Sequence, residues 1–476
     1  MALLIAGTHS GVGKTTVTLA IMAALRRRGI SLAPFKLGPD FLDPGHLAAA
    51  AGRPCGNLDL WMLGRAYVQA RLAAAAAAGE FAVIEAMMGL HDGRSGMSAE
   101  GSPAEFARRF NLPTLLVVDA SAMARSLAAL VRGFRDFDPA VPLAGIIANR
   151  VGGPGHVRYL EDALAGESLP LLGALPLDPA WKIPERHLGL AMSQEGSPAE
   201  RWPELAAWAE RHLQLDRLLE LGRCPPVAPA AAANGRPPAA VPAAPNPLPA
   251  SGPPRLRLGV ARDAAFSFYY EDNLRLLAAA GADLVEFSPL RDSRLPPRLA
   301  GIYFGGGYPE LHAAAFEANR SLRLELREFA AAGRLIYAEC GGLMALARSL
   351  SDAAGRAYAM AGVLPIDIRM CARLRALGYR EVAPLGLGEA AARLRLRGHE
   401  FHYSEIVQAD SLPPAWQITW PADGPPAAGY RLGSVLAGYI HLHFASCPEF
   451  PRLLVERMRA AFNRTSGRHD HMSPAN

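Results

Sequence analysis

The chain opens with an apolar run, Leu3-Leu4-Ile5-Ala6, that stops at Gly7. Past Thr16 the spacing changes, and residues 17–25 read as a helix. Short apolar runs and helical patterns then alternate to about residue 220. Strands are expected over residues 32–36, 81–85, 113–119 and 143–148. Runs this apolar, without strict alternation, suit strands buried on both faces, so the expected class is α/β with a mostly parallel sheet covered by helices. A second series begins at residue 255. Its strands are expected at 255–261, 283–287, 302–305 and 335–339. Its helices are expected at 270–280, as one long amphipathic helix ending near Ala332, and from Leu343 onward.

Between the two series the pattern disappears. Of the 31 residues 224–254, eleven are proline, much of the remainder is alanine, and Arg236 is the only charged side chain. Such a stretch cannot pack as a core and reads as a semi-extended linker. The expected organisation is therefore a first domain over 1–223, a linker over 224–254, a second domain over 255–465 and a disordered tail over 466–476.

Composition narrows the picture. Half of the 476 residues are hydrophobic and 20% are charged, as in a globular protein. No apolar run approaches a membrane span, and the start enters a strand without a signal-peptide pattern, so a cytoplasmic location is expected. The five cysteines (Cys55, Cys224, Cys340, Cys371, Cys447) have neither disulfide-framework nor zinc-site spacing. The net charge of +5 is dispersed, with no basic block for a nucleic acid, and it suits small anionic ligands. Of 49 Lys and Arg residues, only Lys14, Lys36 and Lys182 are lysine. Where arginine serves almost everywhere, a lysine suggests a need for a compact, flexible point charge. For Lys182 chance retention is the simpler reading.

In a parallel sheet, ligands bind beyond the carboxyl ends of the strands. Those ends carry residues 7–16, 36–43, 85–92 and Asp119. Residues 7–16 read G-T-H-S-G-V-G-K-T-T between a strand and a helix. That is a phosphate cradle: backbone N–H groups and a helix N-terminus face the phosphates, Lys14 reaches the outer ones and the Thr15 hydroxyl reaches Mg²⁺. Thr8, Gly11, Gly13, Lys14, Thr15 and Thr16 are the expected nucleotide contacts. Thr8 stands where the usual pattern has its first glycine, and an inert glycine turn is the competing reading.

Cys340 sits between a strand and a helix, with Ala338 before it and Gly341 and Gly342 after it. Small neighbours allow the tight turn of a nucleophile elbow, and the helix N-terminus favours the thiolate. Backbone N–H groups there and in the loop 305–307 are placed to hold an oxyanion. The competing reading is an inert buried cysteine. A base is required, and His441 and His443, or His399 and His402, are the candidates. The four histidines as a metal site is a weaker reading, because no cysteine or carboxylate completes it.

Taken in order, these motifs resemble the cobyrinic acid a,c-diamide synthases, including the hydrogenobyrinic acid form. The resemblance rests on G-T-H-S-G-V-G-K-T-T, P-F-K-L-G-P-D-F-L-D-P, E-A-M-M-G-L-H-D-G, R-H-L-G-L, A-R-D-A-A-F-S-F-Y-Y, G-G-G-Y-P-E, A-E-C-G-G-L, G-H-E-F-H-Y-S and Y-I-H-L-H-F. It implies a dethiobiotin synthetase-like P-loop domain followed by a class I glutamine amidotransferase domain. It implies ATP and Mg²⁺ as cofactors, and a corrin polycarboxylate and L-glutamine as partners, with no nucleic acid and no membrane; a homodimer is allowed. ATP would activate two side-chain carboxylates as acyl phosphates, and ammonia from glutamine would make the amides. The residues implied are Lys36, Asp40 and Asp92 at the ligase centre; Thr15, Asp40 and Glu85 for the metal; Asn149 beside the adenine; and Cys340 with His441 for glutamine hydrolysis. Residues 186–190 and 398–404 would contact the macrocycle or the domain interface, or serve structure alone.

Phe41, Ala86 and His91 depart from the family's usual Tyr, Gly and Tyr. His443 stands where many amidotransferases carry the glutamate of the triad, so the third member is unassigned. Two other readings remain: the same chemistry on another tetrapyrrole such as nickel sirohydrochlorin, and a P-loop switch ATPase whose second domain only binds. An amidase regulated by its first domain is a further one.

Overall fold

The computed structural model describes residues 1–181, 183, 185–186, 189–190, 201–223, 255–422 and 425–466. Lys182, residues 224–254 and residues 467–476 lie outside the described residues, as do residues 187–188 of the R-H-L-G-L segment. The chain divides into two compact units, Met1–Val241 and Pro242–Asn476.

In the first unit, β1 (Ala2–Gly7), α1 (Lys14–Arg27), β2 (Leu32–Leu37), α2 (Leu42–Ala51), β3 (Gly56–Leu58), α3 (Leu60–Ala77) and β4 (Phe81–Glu85) follow one another. The alternation continues through α4 (Pro103–Phe110), β5 (Thr114–Asp119), α5 (Ser126–Phe137), β6 (Leu143–Val151), α6 (Pro154–Leu164) and β7 (Leu171–Pro176). A short hairpin, β8 (Glu185–Arg186) and β9 (Gly189–Leu190), and two helices, α7 (Trp202–His212) and α8 (Leu215–Gly222), complete the unit. The seven main strands lie in the order β3-β2-β4-β1-β5-β6-β7, and every pairing is parallel. Their carboxyl ends therefore share one edge of the sheet. Leu3, Leu4, Ile5 and Ala6 are all fully buried, which explains why β1 reads as a continuous apolar run. Helix α1 is buried from Val17 to Leu25 and packs against α2 and α7. Each leucine or isoleucine so buried contributes about 1.5–3 kcal/mol, and together they pin the loop that precedes α1.

The second unit opens with β10 (Leu256–Ala261), α9 (Glu271–Ala279), β11 (Ala282–Phe287), β12 (Gly301–Phe304), α10 (Ala313–Ala318), α11 (Arg320–Ala331), β13 (Leu335–Glu339) and α12 (Gly341–Leu346). The chain then turns to a run of strands: β14 (Ser349–Ser351), β15 (Ala357–Ala359), β16 (Ile366–Met370) and β17 (Ala376–Pro384). After α13 (Glu389–Ala392) come β18 (Leu396–His402), β19 (Ser404–Ala409), β20 (Trp416–Trp420), β21 (Ala427–Ala428), β22 (Tyr430–Leu432), β23 (Val435–Gly438) and β24 (His441–His443). Helix α14 (Glu449–Ser466) closes the unit. A sheet in the order β11-β10-β12-β13-β23-β22 is parallel except at β22–β23.

Three expectations are corrected here. The long helix ending near Ala332 is two helices, α10 and α11, separated at Asn319. The Asn319 side-chain amide donates to the carbonyls of Pro289, at 2.9 Å, and Asp292, at 2.8 Å, which fixes the backbone in a non-helical turn. The helix expected from Leu343 starts at Gly341, directly after Cys340. The alternating series also does not run through the unit: β14 to β21 and β24 form two further sheets, of four and five strands, in which most pairings are antiparallel. Among the described residues no helix is long and apolar enough to cross a membrane.

Candidate functional site

The first centre forms where the carboxyl ends of β1, β2, β4, β5 and β6 meet α1. Gly11 and Gly13 have φ of 84° and 91°, values that glycine adopts without strain. Gly13 also has no room for a side chain, since a Cβ there would lie 2.2 Å from Asn149 Nδ2. That amide donates to the Val12 carbonyl at 2.8 Å, and Arg150 Nη2 donates to the Gly11 carbonyl at 2.8 Å. Arg150 is held in turn by Asp119. Strand β6 thus braces the glycine turn from behind. Asn149 packs against the turn itself, and Arg150 is a contact the sequence reading did not single out.

Lys14 is buried, and its ammonium donates to the His9 carbonyl at 3.1 Å, which folds it over the turn. Burial, then the charge of Lys36, lowers its pKa. The Thr8 hydroxyl lies 3.0 Å from His9 Nδ1, and Thr16 stands in the first turn of α1. The loop carrying Asp92 is tied to the same place, because the Leu90 N–H donates to the Gly7 carbonyl at 2.8 Å. Asp92 itself is exposed and accepts from the Gly89 N–H at 2.9 Å. His91 turns the other way and packs between Phe134 and Phe137 of α5.

Beside the turn lies a buried charge cluster. Lys36 and Glu85 are register partners on β2 and β4, so they share a face of the sheet. The Lys36 ammonium donates to Glu85 Oε1 at 2.8 Å and to Asp43 Oδ2, and lies 3.7 Å from Asp40 Oδ2. The Thr15 hydroxyl donates to the same Glu85 Oε1 at 2.8 Å. Burial alone would lower the Lys36 pKa, but Asp43, Glu85 and Asp40 together raise it above the ordinary lysine value. Among the carboxylates, Asp43 keeps its charge: Lys36 overcomes burial and holds it at about 2. Burial, then Asp43, pushes Asp40 up to about 8, and burial also raises Glu85. Glu85 Oε2 is buried without a hydrogen-bond partner among the described residues. Asn57 fixes the loop, donating to the Gly38 carbonyl at 2.9 Å and the Asp40 carbonyl at 2.8 Å. The sequence reading favoured Asp40 and passed over Asp43 and Asn57. Asp43 lay in the same G-P-D-F-L-D segment, but spacing alone does not say which acid turns inward.

The second centre surrounds Cys340, at the carboxyl end of β13. Its backbone is strained, with φ 47° and ψ −105°, and its N–H donates to the Gly438 carbonyl at 2.7 Å. This is a region non-glycine residues rarely adopt, and it marks a tight elbow. The turn needs empty space beside it. A Cβ on Gly342 would lie 2.6 Å from the Phe304 carbonyl oxygen, and one on Gly341 would lie 3.0 Å from the Gly307 nitrogen. The loop 305–307 therefore brings a backbone N–H against the elbow. That loop is fixed by Tyr269, whose hydroxyl accepts from the Gly305 N–H at 2.8 Å.

His441 approaches from β24, close enough that a Cβ on Gly306 would lie 2.3 Å from His441 Cε1. Its Nδ1 lies 3.8 Å from Glu339 Oε2. Burial disfavours the imidazolium, but Cys340 and Glu339 outweigh it and push the pKa up to about 9. Glu339, buried directly before Cys340, accepts from the Tyr303 hydroxyl at 3.1 Å, the Tyr337 hydroxyl at 2.6 Å and the Leu442 N–H at 3.1 Å. Its carboxylate thus stands beside the histidine ring at ion-pair distance. His443 packs against Tyr270, with ring centroids 4.5 Å apart and the rings tilted by 33°.

The G-H-E-F-H-Y-S segment is β18 and its exit. His399 pairs in register with His441, and burial followed by the His441 charge pushes it down to about 4, so it is neutral. His402 stacks on Tyr439 at 3.7 Å and hydrogen-bonds Glu400 at 3.2 Å. Among the described residues no group of three His, Cys, Asp or Glu side chains forms a ready metal cage.

Comparison with known proteins matches the two units separately. Residues 3–190 match the CobQ/CobB/MinD/ParA nucleotide binding domain, and residues 257–448 match the CobB/CobQ-like glutamine amidotransferase domain. A cobyrinate a,c-diamide synthase of Syntrophotalea carbinolica is 46% identical over 470 residues, covering 96% of this chain and 98% of that one. Synthases of the same name from Dehalococcoides mccartyi and Gloeobacter violaceus are 39% and 41% identical, covering 94% and 97% of this chain and 96% and 97% of their own. With identity of this level running through both units, the chain belongs to the cobyrinate a,c-diamide synthase family.

Proposed function

We propose that the chain amidates the a and c side-chain carboxylates of cobyrinic or hydrogenobyrinic acid, consuming one ATP and one glutamine for each amide. The observation that carries this reading is the coexistence of two built centres in one chain: the glycine turn with its buried Lys36 cluster, and the Cys340 elbow with His441 and Glu339. A carboxylate resists attack by ammonia and must first be activated. Lys14 and the backbone N–H groups of residues 11–15 hold the nucleotide phosphates, and Lys36 steadies the transferred phosphoryl group. Thr15 and Glu85, with Asp40 close by, fit Mg²⁺, because the free Glu85 Oε2 is an oxygen ligand already buried beside the phosphate turn. The metal would supply charge neutralisation at the phosphates. Asp92 faces the same turn from an exposed loop and orients the acceptor carboxylate. Asn149 supports the nucleotide site by holding the turn.

In the second centre Cys340 attacks the glutamine side-chain carbonyl. The His441 imidazolium, kept charged by its two neighbours, gives its proton to the departing ammonia. The Gly307 N–H and the first N–H groups of α12 face the developing oxyanion. Water then cleaves the thioester to glutamate, and ammonia displaces phosphate from the acyl phosphate to leave the amide. Residues 224–254 join the ligase unit, 1–223, to the glutaminase unit, 255–465.

Incubation of the full chain with cobyrinic acid, ATP, Mg²⁺ and glutamine, followed by mass spectrometry, is expected to show the a,c-diamide with two ADP and two glutamate per corrin. Absence of corrin-dependent ADP release would refute it. Amidation of nickel sirohydrochlorin in preference to either corrin would move the activity to that acceptor.

A further inference from the structure

The second unit carries a pocket of about 160 Å³ at the opposite end of its parallel strands from Cys340. Leu335, which begins β13, lines it, whereas Cys340 follows the other end of that strand, so the two places are a strand's length, about 15 Å, apart. Gly433 and Ser434 contribute the turn between β22 and β23, and α14 contributes Arg457 and Arg464. These two are seven residues apart and project from one helix face.

A third arginine, Arg431 of β22, lies against Gly386, where a Cβ would meet its guanidinium carbon at 2.5 Å. Its Nε is buried without a hydrogen-bond partner among the described residues. Burial, followed by the charges of Arg431 and Arg464, pushes the Arg457 guanidinium below its ordinary value. Arg262 and Arg380, half-buried in the same unit, are matched by Glu271 and Glu400, and Arg323 and Arg334 are held by backbone carbonyls. Among the described residues no carboxylate pairs with Arg431, Arg457 or Arg464. Arg457 and Arg464 line the hollow and the Arg431 charge acts on Arg457 from beside it; three cations so placed repel each other, and the half-buried Arg457 also loses hydration, an arrangement that an anion would stabilise. The planar donor forks of arginine match phosphate oxygens, and the hollow accommodates one or two phosphate groups.

We infer that this pocket binds a small multiply charged oxyanion of the phosphate class, separately from both catalytic centres. The test uses the full chain with its glycine turn occupied by a non-hydrolysable ATP analogue and Mg²⁺, so that the nucleotide site proposed above is silent. Orthophosphate, diphosphate and ADP are titrated by calorimetry and by thermal unfolding, against sodium chloride at matched ionic strength. Saturable binding is expected, weakened at least about tenfold in Arg457→Gln, as loss of a charged hydrogen bond implies. Removing one of three like charges is also expected to leave the Tm of the anion-free variant unchanged or raised. Arg464→Gln, in the exposed last turns of α14, provides the second variant should Arg457→Gln fail to fold. Binding of ADP as tight as that of diphosphate assigns a nucleotide as the source of the anion; binding of orthophosphate alone assigns the free ion. The inference is overturned if both phosphates act no differently from chloride, or if they bind both arginine variants as tightly as the parent protein.

Discussion

Glu339 stands next to the nucleophile in sequence and beside His441 in space. The sequence hid this because adjacent strand residues point to opposite faces, which argues against neighbours sharing a site. The strained φ of 47° at Cys340 removes the objection, since the chain leaves the strand there and the thiol swings back over the end of the sheet. Three donors hold the Glu339 carboxylate in place beside the histidine. Glu339→Gln keeps the size but removes the charge. Glutaminase kcat is expected to fall about 10⁴-fold with KM changed little, by analogy with loss of a triad carboxylate. The same pair sets a pH window. The His441 pKa is raised from its ordinary 6.5 to about 9, so its favourable pairing is fully present below 6.5 and is lost as pH rises through 9. Steady-state glutaminase assays should therefore show an alkaline limb near pH 9, shifted to lower pH in Glu339→Gln. An unshifted limb would remove Glu339 from the role. The acids of the first centre teach a related lesson: Asp40 and Asp43 were equally visible in the sequence, and only the folded loop shows that Asp43 takes the tight pairing with Lys36.

At the scale of elements, the parallel strands were legible because burial on both faces writes a plain apolar run, as in Leu3-Leu4-Ile5-Ala6 or Phe81-Ala82-Val83-Ile84. The antiparallel insert from β14 to β21 was not. Its strands are largely half-exposed, and β17 alternates so weakly that Arg380 and Glu381 follow each other within it. The break between α10 and α11 was hidden for another reason, because apolar spacing continues across Asn319 and only the hydrogen bonds of its side chain reveal the turn. Glycine motifs proved more informative than periodicity, since several mark places where elements meet too closely for a Cβ. Gly306 is one of these. Alanine there would place its Cβ 2.3 Å from His441 Cε1 and push the ring off Cys340. A displacement of about 1 Å at such a centre costs on the order of 10²-fold. Gly306→Ala should therefore lower glutamine-dependent amidation about that much while ammonium-dependent amidation stays near the parent rate. Equal loss with both nitrogen sources would mean that the substitution damages more than the glutaminase.

For the whole molecule, the question is what each unit does without the other's chemistry. The ligase centre needs a neutral amine lone pair, and ammonium ion has none to offer. Glutamine hydrolysis delivers nitrogen as ammonia beside a histidine that has just surrendered its proton. Supplying ammonium salt instead bypasses Cys340 but depends on the small deprotonated fraction in solution. Cys340→Ser is therefore expected to lose glutamine-dependent diamide formation by at least about 10³-fold, and to form diamide from ammonium chloride at a rate that rises about tenfold per pH unit below the ammonium pKa. Lys14→Ala removes the cation held over the glycine turn, and no nitrogen source can compensate for a carboxylate that is never phosphorylated. It should abolish amidation from glutamine and ammonium alike while leaving Cys340 able to react with a glutamine-mimetic alkylating agent. The two variants together separate the roles. If Lys14→Ala still makes diamide from ammonium, activation does not occur at the glycine turn. If Cys340→Ser fails with ammonium at every pH, the two centres are not chemically independent.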